Sequence, residues 1–367
     1  MRRLGLLALL AIAALGAGAG WLDSQISRSY RGRRPDRVFV EIPRGTSRWG
    51  VAGILAEQHI IRSRLAFALF SDWHFRFPLQ AGEYLFDQPL NSREVFWKIA
   101  HGQIFVHAIT VPEGWTLYDI AAELERQWIC SREAFLATAH DTSLISDLAP
   151  HAASLEGFLF PSTYQFTRRT TCEQVAKRMV EEFRTTWESL NPSGPAHLPN
   201  GLTLEQVVDL ASLVERETPN PAERPLVAGV FYNRLRRGIA LQCDPTVQYA
   251  IELAAGRPKK TLRPSDLRFD SPYNTYEHRG LPPGPIANPG AASLRAALWP
   301  AKTDYMYFVA NEQGGHNFSR TLEEHNRNVA RYRHLITGDA PPVDAERPAT
   351  KPEPQPKTKH PKHRGHS

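Results

Sequence analysis

The sequence predicts an α+β chain made of an apolar anchor, a small α+β module and a larger mixed α+β domain. Three observations carry that expectation. An uninterrupted apolar run stands near the amino terminus. A strand–turn–helix pattern then occurs twice. Beyond about Leu155, helices with apolar residues three and four apart alternate with segments rich in proline, glycine, asparagine and tyrosine. The 367 residues suit one large domain, or two ordinary ones with appendages. A hydrophobic content of 42% is enough for a buried core.

Arg2 and Arg3 precede the apolar run, which extends from Leu4 to Leu22, about the length a helix needs to cross a bilayer. Ala17-Gly18-Ala19 has the small-x-small form of a signal-peptidase site. The run continues through Trp21-Leu22, which favours a retained single-pass anchor over 1–22. A basic juxtamembrane linker follows over 23–37, with Arg28, Arg31, Arg33, Arg34 and Arg37. These arginines outnumber Arg2 and Arg3, and the positive-inside rule alone would keep them in the cytoplasm. The signal-like order of charge, apolar run and small residues points the other way. It places the remainder on the outer side of the membrane.

The repeat comes next. Ile42-Pro43-Arg44-Gly45 precedes Val51-Ala52, Leu55, Gln58, Ile60, Ser63-Arg64 and Phe67. Val111-Pro112-Glu113-Gly114 precedes Ile120-Ala121, Leu124, Gln127, Ile129, Ser131-Arg132 and Phe135. The register holds to Ile60 and Ile129, then slips by one residue. Each copy reads as a strand, a Pro-x-Gly turn and an amphipathic helix. Between them, Gln80 to Phe86 reads as a strand and Ser92 to Ile99 as a helix capped by Ser92. A small α+β region of such pieces, over 38–140, resembles a LysM-like glycan-binding module; the plainer alternative is a structural spacer.

The second domain is expected over 150–338. Glu156 to Phe166 is aromatic and turn-prone. A helix follows from Cys172 to about Leu190, with Val175, Met179, Val180 and Phe183 on one side, and Asn191 to Asn200 is a proline-rich loop. Thr203 and Gln206 form a capping-box pattern for the next helix, and another spans Glu223 to Arg237. From 339 to 367 proline, lysine and histidine replace apolar periodicity, so the tail cannot bury enough surface to order itself.

The formal net charge of +6 is concentrated in the linker and in Lys351, Lys357, Lys359, Lys362 and Arg364 of the tail, leaving the middle near neutral. That distribution suits solvated flanks beside a membrane and argues against a nucleic-acid partner. Cys130, Cys172 and Cys243 form no disulfide framework and no zinc pattern; at most one pair could form, which spacing cannot choose, and small buried thiols are the default. His316 and His325 lack ligand spacing and a third partner. No metal and no cofactor are expected.

The chemistry gathers around Leu210-Ala211-Ser212-Leu213-Val214-Glu215-Arg216-Glu217-Thr218. A carboxyl group beside an apolar surface ionises less readily, as a general acid must. At about 100° per residue, Glu217 shares a face with Leu210, Leu213 and Val214, and Glu215 lies roughly 160° away. The two therefore cannot face each other as an acid–nucleophile pair. Periodicity alone leaves open which one works, although the bulkier neighbours favour Glu217. Around the helix lie Asn233-Arg234, Gln242-Cys243-Asp244-Pro245-Thr246, Tyr273-Asn274-Thr275-Tyr276 and Gly280-Leu281-Pro282-Pro283-Gly284.

The octapeptide Ala211 to Thr218 resembles the signature of the MltG (YceG-like) family of endolytic murein transglycosylases. The likeness continues through Val227 to Leu235, Leu241-Gln242 with Asp244 to Val247, Tyr273 to Tyr276, Gly280 to Gly290, Tyr307 to Ala310 and Gly315 to Phe318. It covers roughly Glu156 to Val329. The resemblance implies that Glu217 is the catalytic acid. Arg216 stands where lysine is common in the family, and Cys243 where threonine is often found.

The resemblance also implies a reaction. Protonated Glu217 gives its proton to the oxygen linking N-acetylmuramic acid to N-acetylglucosamine. It then takes the proton of the muramic acid C6 hydroxyl, which closes a 1,6-anhydro ring without water. One carboxyl group then suffices where hydrolases need two. Gln242, Asp244, Thr246, Tyr273, Asn274, Thr275, Tyr276, Asn288 and His316 are candidate substrate holders; each also has a structural reading, Asp244 as the cap of a helix starting at Pro245. The alternatives are a non-catalytic peptidoglycan-binding wall anchor and a hydrolytic muramidase. The partners implied are glycan strands, the inner membrane and, by analogy, wall synthases or the division and elongation machinery, with nascent strands being trimmed or terminated.

Overall fold

The hydroxyl and amide side chains that precede most apolar runs become helix caps, and these caps set the order of elements in the computed structural model. It describes residues 2–30, 37–192, 194, 198–259 and 261–337. The tail expected over 339–367, and Arg31, Arg33 and Arg34 of the linker, lie outside the described residues.

The chain divides into two units, Met1–Ser212 with Gly284–Leu294, and Leu213–Pro283 with Arg295 onward. In the first, helix α1 (Arg2–Ser27) leads into β1 (Val38–Ile42), α2 (Arg48–Glu57), α3 (Arg64–Trp73) and β2 (Gly82–Phe86). Ser47 and Ser63 accept hydrogen bonds from the Gly50 and Ala66 amides and so start the two helices. β1 and β2 pair antiparallel, Val38 opposite Phe86 and Ile42 opposite Gly82. Val40, Val51, Leu55, Phe67, Tyr84 and Phe96 are buried together as the core of this copy.

Helix α4 (Ser92–Ala100) is capped by Asn91, one residue earlier than expected. Asn91 accepts from the Glu94 amide at 2.9 Å, and Glu94 accepts from the Asn91 amide at 2.8 Å. The Ser92 hydroxyl is directed instead to the Gln25 carbonyl, at 3.4 Å.

The second copy repeats the order: β3 (His107–Thr110), α5 (Leu117–Arg126), α6 (Arg132–Ala139) and β4 (Thr163–Phe166). β3 and β4 are antiparallel, His107 opposite Phe166. The repeat is therefore strand–helix–helix–strand, longer than the strand–turn–helix read from the sequence. Its closing strand lies in the aromatic segment beyond residue 150. The one-residue slip falls in the loop between the paired helices. There His59 and Trp128 occupy matched left-handed positions, with φ of 53° and 58°. Cys130 in the second of these loops is disulfide-bonded to Cys172, so these two are not the free thiols expected. The fold brings together residues that sequence spacing could not pair.

Cys172 opens α7 (Cys172–Leu190), whose Val175, Met179, Val180 and Phe183 are buried as its periodicity predicts. Helix α8 (Leu204–Glu217) begins with the expected capping box: Thr203 accepts from the Gln206 amide and Gln206 from the Thr203 amide.

The returning segment 284–294 belongs to the first unit through Asn288. This fully buried amide accepts from the Gly157 and Leu159 amides, each at 2.9 Å. It donates to the Trp115 carbonyl at 3.0 Å and the Glu156 carboxylate at 2.8 Å. Asn288→Ala is expected to cost at least about 3 kcal/mol of stability, because it strips two buried amides and a carboxylate of this partner. Urea unfolding of the variant checks this.

The second unit contains α9 (Arg224–Arg236), α10 (Asp244–Ala255), a hairpin of β5 (Tyr307–Ala310) and β6 (His316–Ser319), and α12 (Leu322–Thr337), which packs on the hairpin. Helix α11 (Ala291–Leu298), like α8, crosses the boundary between units. In the hairpin Ala310 lies opposite His316. A Cβ at Gly229 of α9 would meet the Ala301 carbonyl at 2.6 Å, so the close approach of this backbone requires glycine.

Among the described residues, no helix is long and apolar enough to cross a membrane. Within α1, the side chains at 1–8 and 11 lie outside the described residues. The membrane-spanning helix expected from the sequence is not supported at this level.

Candidate active site

The last turn of α8 separates the two glutamates as the helical angle requires. Glu215 forms a buried ion pair with Arg224, 2.8 Å apart, the two side chains only 4% and 6% exposed. Glu217 opens into a cavity of about 520 Å³ within the second unit. Arg234, Gln242, Asp244, Tyr276 and His316 line the same cavity. Phe308 to Ala310 of β5, and His325, Val329 and Arg333 of α12, complete it.

Burial pushes the Glu217 carboxyl up to about 6 from an ordinary 4.5. A hydrogen bond from the Cys243 thiol opposes that rise, the Asp244 charge adds to it, and His316 and Arg234 oppose it. Burial holds the Cys243 thiol well above its usual range, and the neighbouring Glu217 adds to this, so Cys243 acts as a donor rather than a thiolate. It is a free, fully buried cysteine.

Arg234 shapes the loop that carries these groups. Its Nε donates to the Met306 carbonyl at 2.7 Å, and its Nη1 to the Leu241 carbonyl at 2.8 Å and the Ala240 carbonyl at 3.2 Å. The guanidinium also lies 5.1 Å from the Tyr307 ring centre. Asn233 donates to the carbonyls of Thr303 and Tyr305, which holds the approach to β5. Gln242 adopts φ of 51°, a left-handed conformation that costs a non-glycine residue energy. Thr246 and Thr275, hydrogen-bonded to each other at 2.9 Å, hold the loop below it: Thr275 accepts from the Cys243 amide and Thr246 donates to the Cys243 carbonyl.

Asp244 is the first residue of α10 rather than its cap, and Cys243, at the cap position, makes no side-chain cap bond. The Asp244 carboxylate instead accepts from the Tyr276 hydroxyl. Burial and this carboxylate raise the Tyr276 phenol, keeping it a donor.

His316 is fixed by Glu223. The carboxylate accepts from the His316 amide at 2.9 Å and meets Nδ1 at 2.7 Å. Burial would raise Glu223, but its bonds to His316 outweigh this and the carboxyl is lowered overall. A proton on Nδ1, shared with Glu223, leaves Nε2 as the ring's other polar atom. Glu223→Gln is expected to lose about 1.5–3 kcal/mol of stability at neutral pH. A lowered folded pKa means that the wild-type contribution is present above the ordinary 4.5 and fades as pH falls through the folded value. The gap between variant and wild type in urea unfolding should therefore shrink in acid.

Of the sequence candidates, Gln242, Asp244, Tyr276 and His316 share the cavity with Glu217. Thr246, Asn274 and Thr275 are buried below the loop, where Asn274 donates to the carbonyls of Leu267 and Phe269. Tyr273 stacks edge-on against Tyr249. Asn288 belongs to the core of the first unit. Sequence reasoning passed over Arg234, Cys243 and Glu223 as functional groups. Arg234 stood within a quoted motif, and an arginine among apolar helix positions was the available signal. Nothing in the local sequence marks Glu223. Among the described residues, no group of three or more histidine, cysteine, aspartate or glutamate side chains is arranged to hold a metal.

The chain matches the YceG-like family model over residues 40–331. It is 36% identical to the endolytic murein transglycosylase of Bacillus subtilis over 80% of this chain and 84% of that protein. It is 29% identical to the protein of the same name from Streptococcus pneumoniae strain D39, over 80% of this chain and 58% of the longer relative. A crystal structure of a YceG-like protein from Listeria monocytogenes superposes with a TM-score of 0.52 at 32% identity, covering 80% of this chain and 99% of that one. With the family model matched over most of the chain, and Gln242, Asp244, Tyr276 and His316 from its motifs lining one cavity with Glu217, the chain belongs to the YceG-like family.

Proposed function

We propose that this chain is an endolytic murein transglycosylase, a lyase that cuts the bond between N-acetylmuramic acid and N-acetylglucosamine within peptidoglycan strands. The observation that carries the reading is the Glu217 carboxyl, made hard to ionise by burial at the edge of a polar cavity. Glu217 gives its proton to the glycosidic oxygen, and the N-acetylglucosamine leaves with a free hydroxyl. Positive charge grows at the muramic acid anomeric carbon. The Glu217 carboxylate takes the C6 hydroxyl proton, the C6 oxygen bonds to the anomeric carbon, and the acid is restored for the next turn. Acid–base help of this kind supplies on the order of 10²–10⁴-fold. Positioning of the sugar supplies the rest.

Four groups take supporting roles. The Cys243 thiol steadies the carboxylate after proton release. Asp244, held by Tyr276, offers negative charge to the developing cation. Gln242 and His316 offer hydrogen bonds to the sugar's hydroxyl and N-acetyl groups. Asp244 also supplies the specific alternative: a second carboxylate in the cavity is what a hydrolytic muramidase would use. Mass spectrometry of the products from uncrosslinked glycan separates the two. Anhydro ends support the transglycosylase, and reducing ends heavier by one water overturn it.

The cellular setting belongs to the same proposal. The apolar run of α1 anchors the chain to the inner membrane with the enzyme on the outer side, and the two strand–helix–helix–strand copies form a LysM-like region that binds glycan. Wall synthases or the division and elongation machinery are its protein partners, and nascent strands its substrate.

A further inference from the structure

We propose that an exposed aromatic face of the first repeat copy rests in the lipid headgroup layer beside α1, so that the membrane holds the module as well as the anchor. The inference rests on the anchoring role given to α1 above. Leu65, Leu69 and Trp73 recur four residues apart on α3, and all three are exposed, Trp73 to 83%. The turn after the helix adds Phe75, 70% exposed, and Phe77. This turn is firmly held: the Arg48 guanidinium donates to the Phe75 carbonyl at 2.9 Å, the Phe77 carbonyl at 2.7 Å and the Ser71 hydroxyl at 2.8 Å. An apolar patch displayed on rigid backbone is the mark of an interaction surface.

The occupant follows from where the patch sits. Helix α1 packs on α3 and α4. Just past the end of α1, the Tyr30 ring lies 5.5 Å from the Arg62 guanidinium, before α3 begins. Earlier in α1, Asp23 meets Arg93 at 4.0 Å, and Arg93 lies 5.9 Å from the Phe70 ring, near the end of α3. Going back along α1 toward its apolar run is therefore going forward along α3 toward Trp73. Exposed Trp21 lies two residues before Asp23, and Trp73 three residues beyond Phe70, offsets of about 3 and 4.5 Å at the helical rise. The two indoles leave the module at about one level. Beyond that level α1 shows the exposed apolar side chains of Leu15, Ile12, Leu10 and Leu9. Aromatic side chains collect where hydrocarbon meets headgroups.

The test places a nitroxide, one position at a time, at Phe75→Cys, Ile12→Cys and Ser189→Cys in the full chain. Cys243 is buried and Cys130 is paired with Cys172, so the new thiols react selectively. The protein is reconstituted in vesicles of phosphatidylcholine and phosphatidylglycerol, and collision with oxygen is compared with collision with a water-soluble nickel chelate. The oxygen-to-nickel ratio should be highest at 12, several-fold lower at 75, and several-fold lower again at exposed Ser189 of α7. A ratio at 75 equal to that at 189, with 12 still in hydrocarbon, overturns the inference and leaves the anchor standing. A label at 75 shielded from both reagents marks a protein contact and also overturns it. A water-like ratio at 12 removes the anchor and the inference together.

Discussion

Glu217→Gln is expected to lower glycan cutting by at least about 10²–10⁴-fold while making the protein more stable at neutral pH. The amide cannot supply the proton, so strands should still bind and remain uncut. The stability gain follows from the carboxyl's surroundings. A folded pKa of about 6 against an ordinary 4.5 means that the folded protein holds this proton more tightly than the unfolded chain. The stabilisation that comes from the protonated form is complete below 4.5 and lost as pH rises through about 6. Above that range, wild type carries a buried charge worth about 2 kcal/mol that the amide does not. Urea unfolding should show the variant ahead at about pH 8 and level with wild type at about pH 4. The same titration governs rate: kcat/KM should fall about tenfold per pH unit above about 6, where the acid form is depleted. A flat profile, or an active Glu217→Gln, would remove Glu217 from the acid's role.

Arg234→Met is expected to be the most destabilising single change in the second unit, by about 3–5 kcal/mol. Three carbonyls on two separate segments, those of Met306, Leu241 and Ala240, converge on this one guanidinium. Methionine fills part of the volume but leaves these acceptors without that partner. Arg234→Lys keeps the charge and loses the fork, so it should recover only a fraction of the stability. The substitution to methionine also removes a positive charge that holds Glu217 down, so the acid limb of the rate should move to higher pH in whatever protein remains folded. Unfolding curves and pH–rate profiles read the two effects separately. Unchanged stability in Arg234→Met would mean that the Gln242 loop is held by Thr246 and Thr275 alone.

Much of this was legible in the linear chain because it depends on near neighbours. The helices over 172–190 and 204–217 follow from apolar spacing and, for the second, from the Thr203 cap. The divergence of Glu215 and Glu217 is helical geometry. The repeat was legible as far as Phe67 and Phe135, and the strand over 80–86 was legible without its place in the repeat, because strand pairing joins β1 to β2 and β3 to β4 across 40 or more residues of chain. The cap of α4 lies at Asn91 rather than Ser92 because Glu94, three residues beyond Asn91, completes a capping box with it, while the Ser92 hydroxyl turns to Gln25.

The site divides in the same way. Tyr276 and Asp244 looked like independent sugar ligands and form a hydrogen-bonded pair. Thr246 and Thr275 looked like ligands and brace the Cys243 backbone. Asn288 looked like a ligand and joins segments of the first unit. Each is a polar residue in a turn, and a polar residue's function is set by whichever partner the fold brings within about 3 Å.

The linear order of residues by itself determined the helix that presents Glu217, the direction in which that side chain leaves it, and the run of motifs that marks the family. Those features depend on bonds and contacts within a few residues. The tertiary structure alone decided that Glu215 is neutralised by Arg224, that Glu217 meets a thiol and an arginine, that Glu223 orients His316, and that Cys130 joins Cys172. The reason is physical: how tightly a carboxyl holds its proton depends on the water removed from it and the charges placed beside it. Both are supplied by segments far away in the chain.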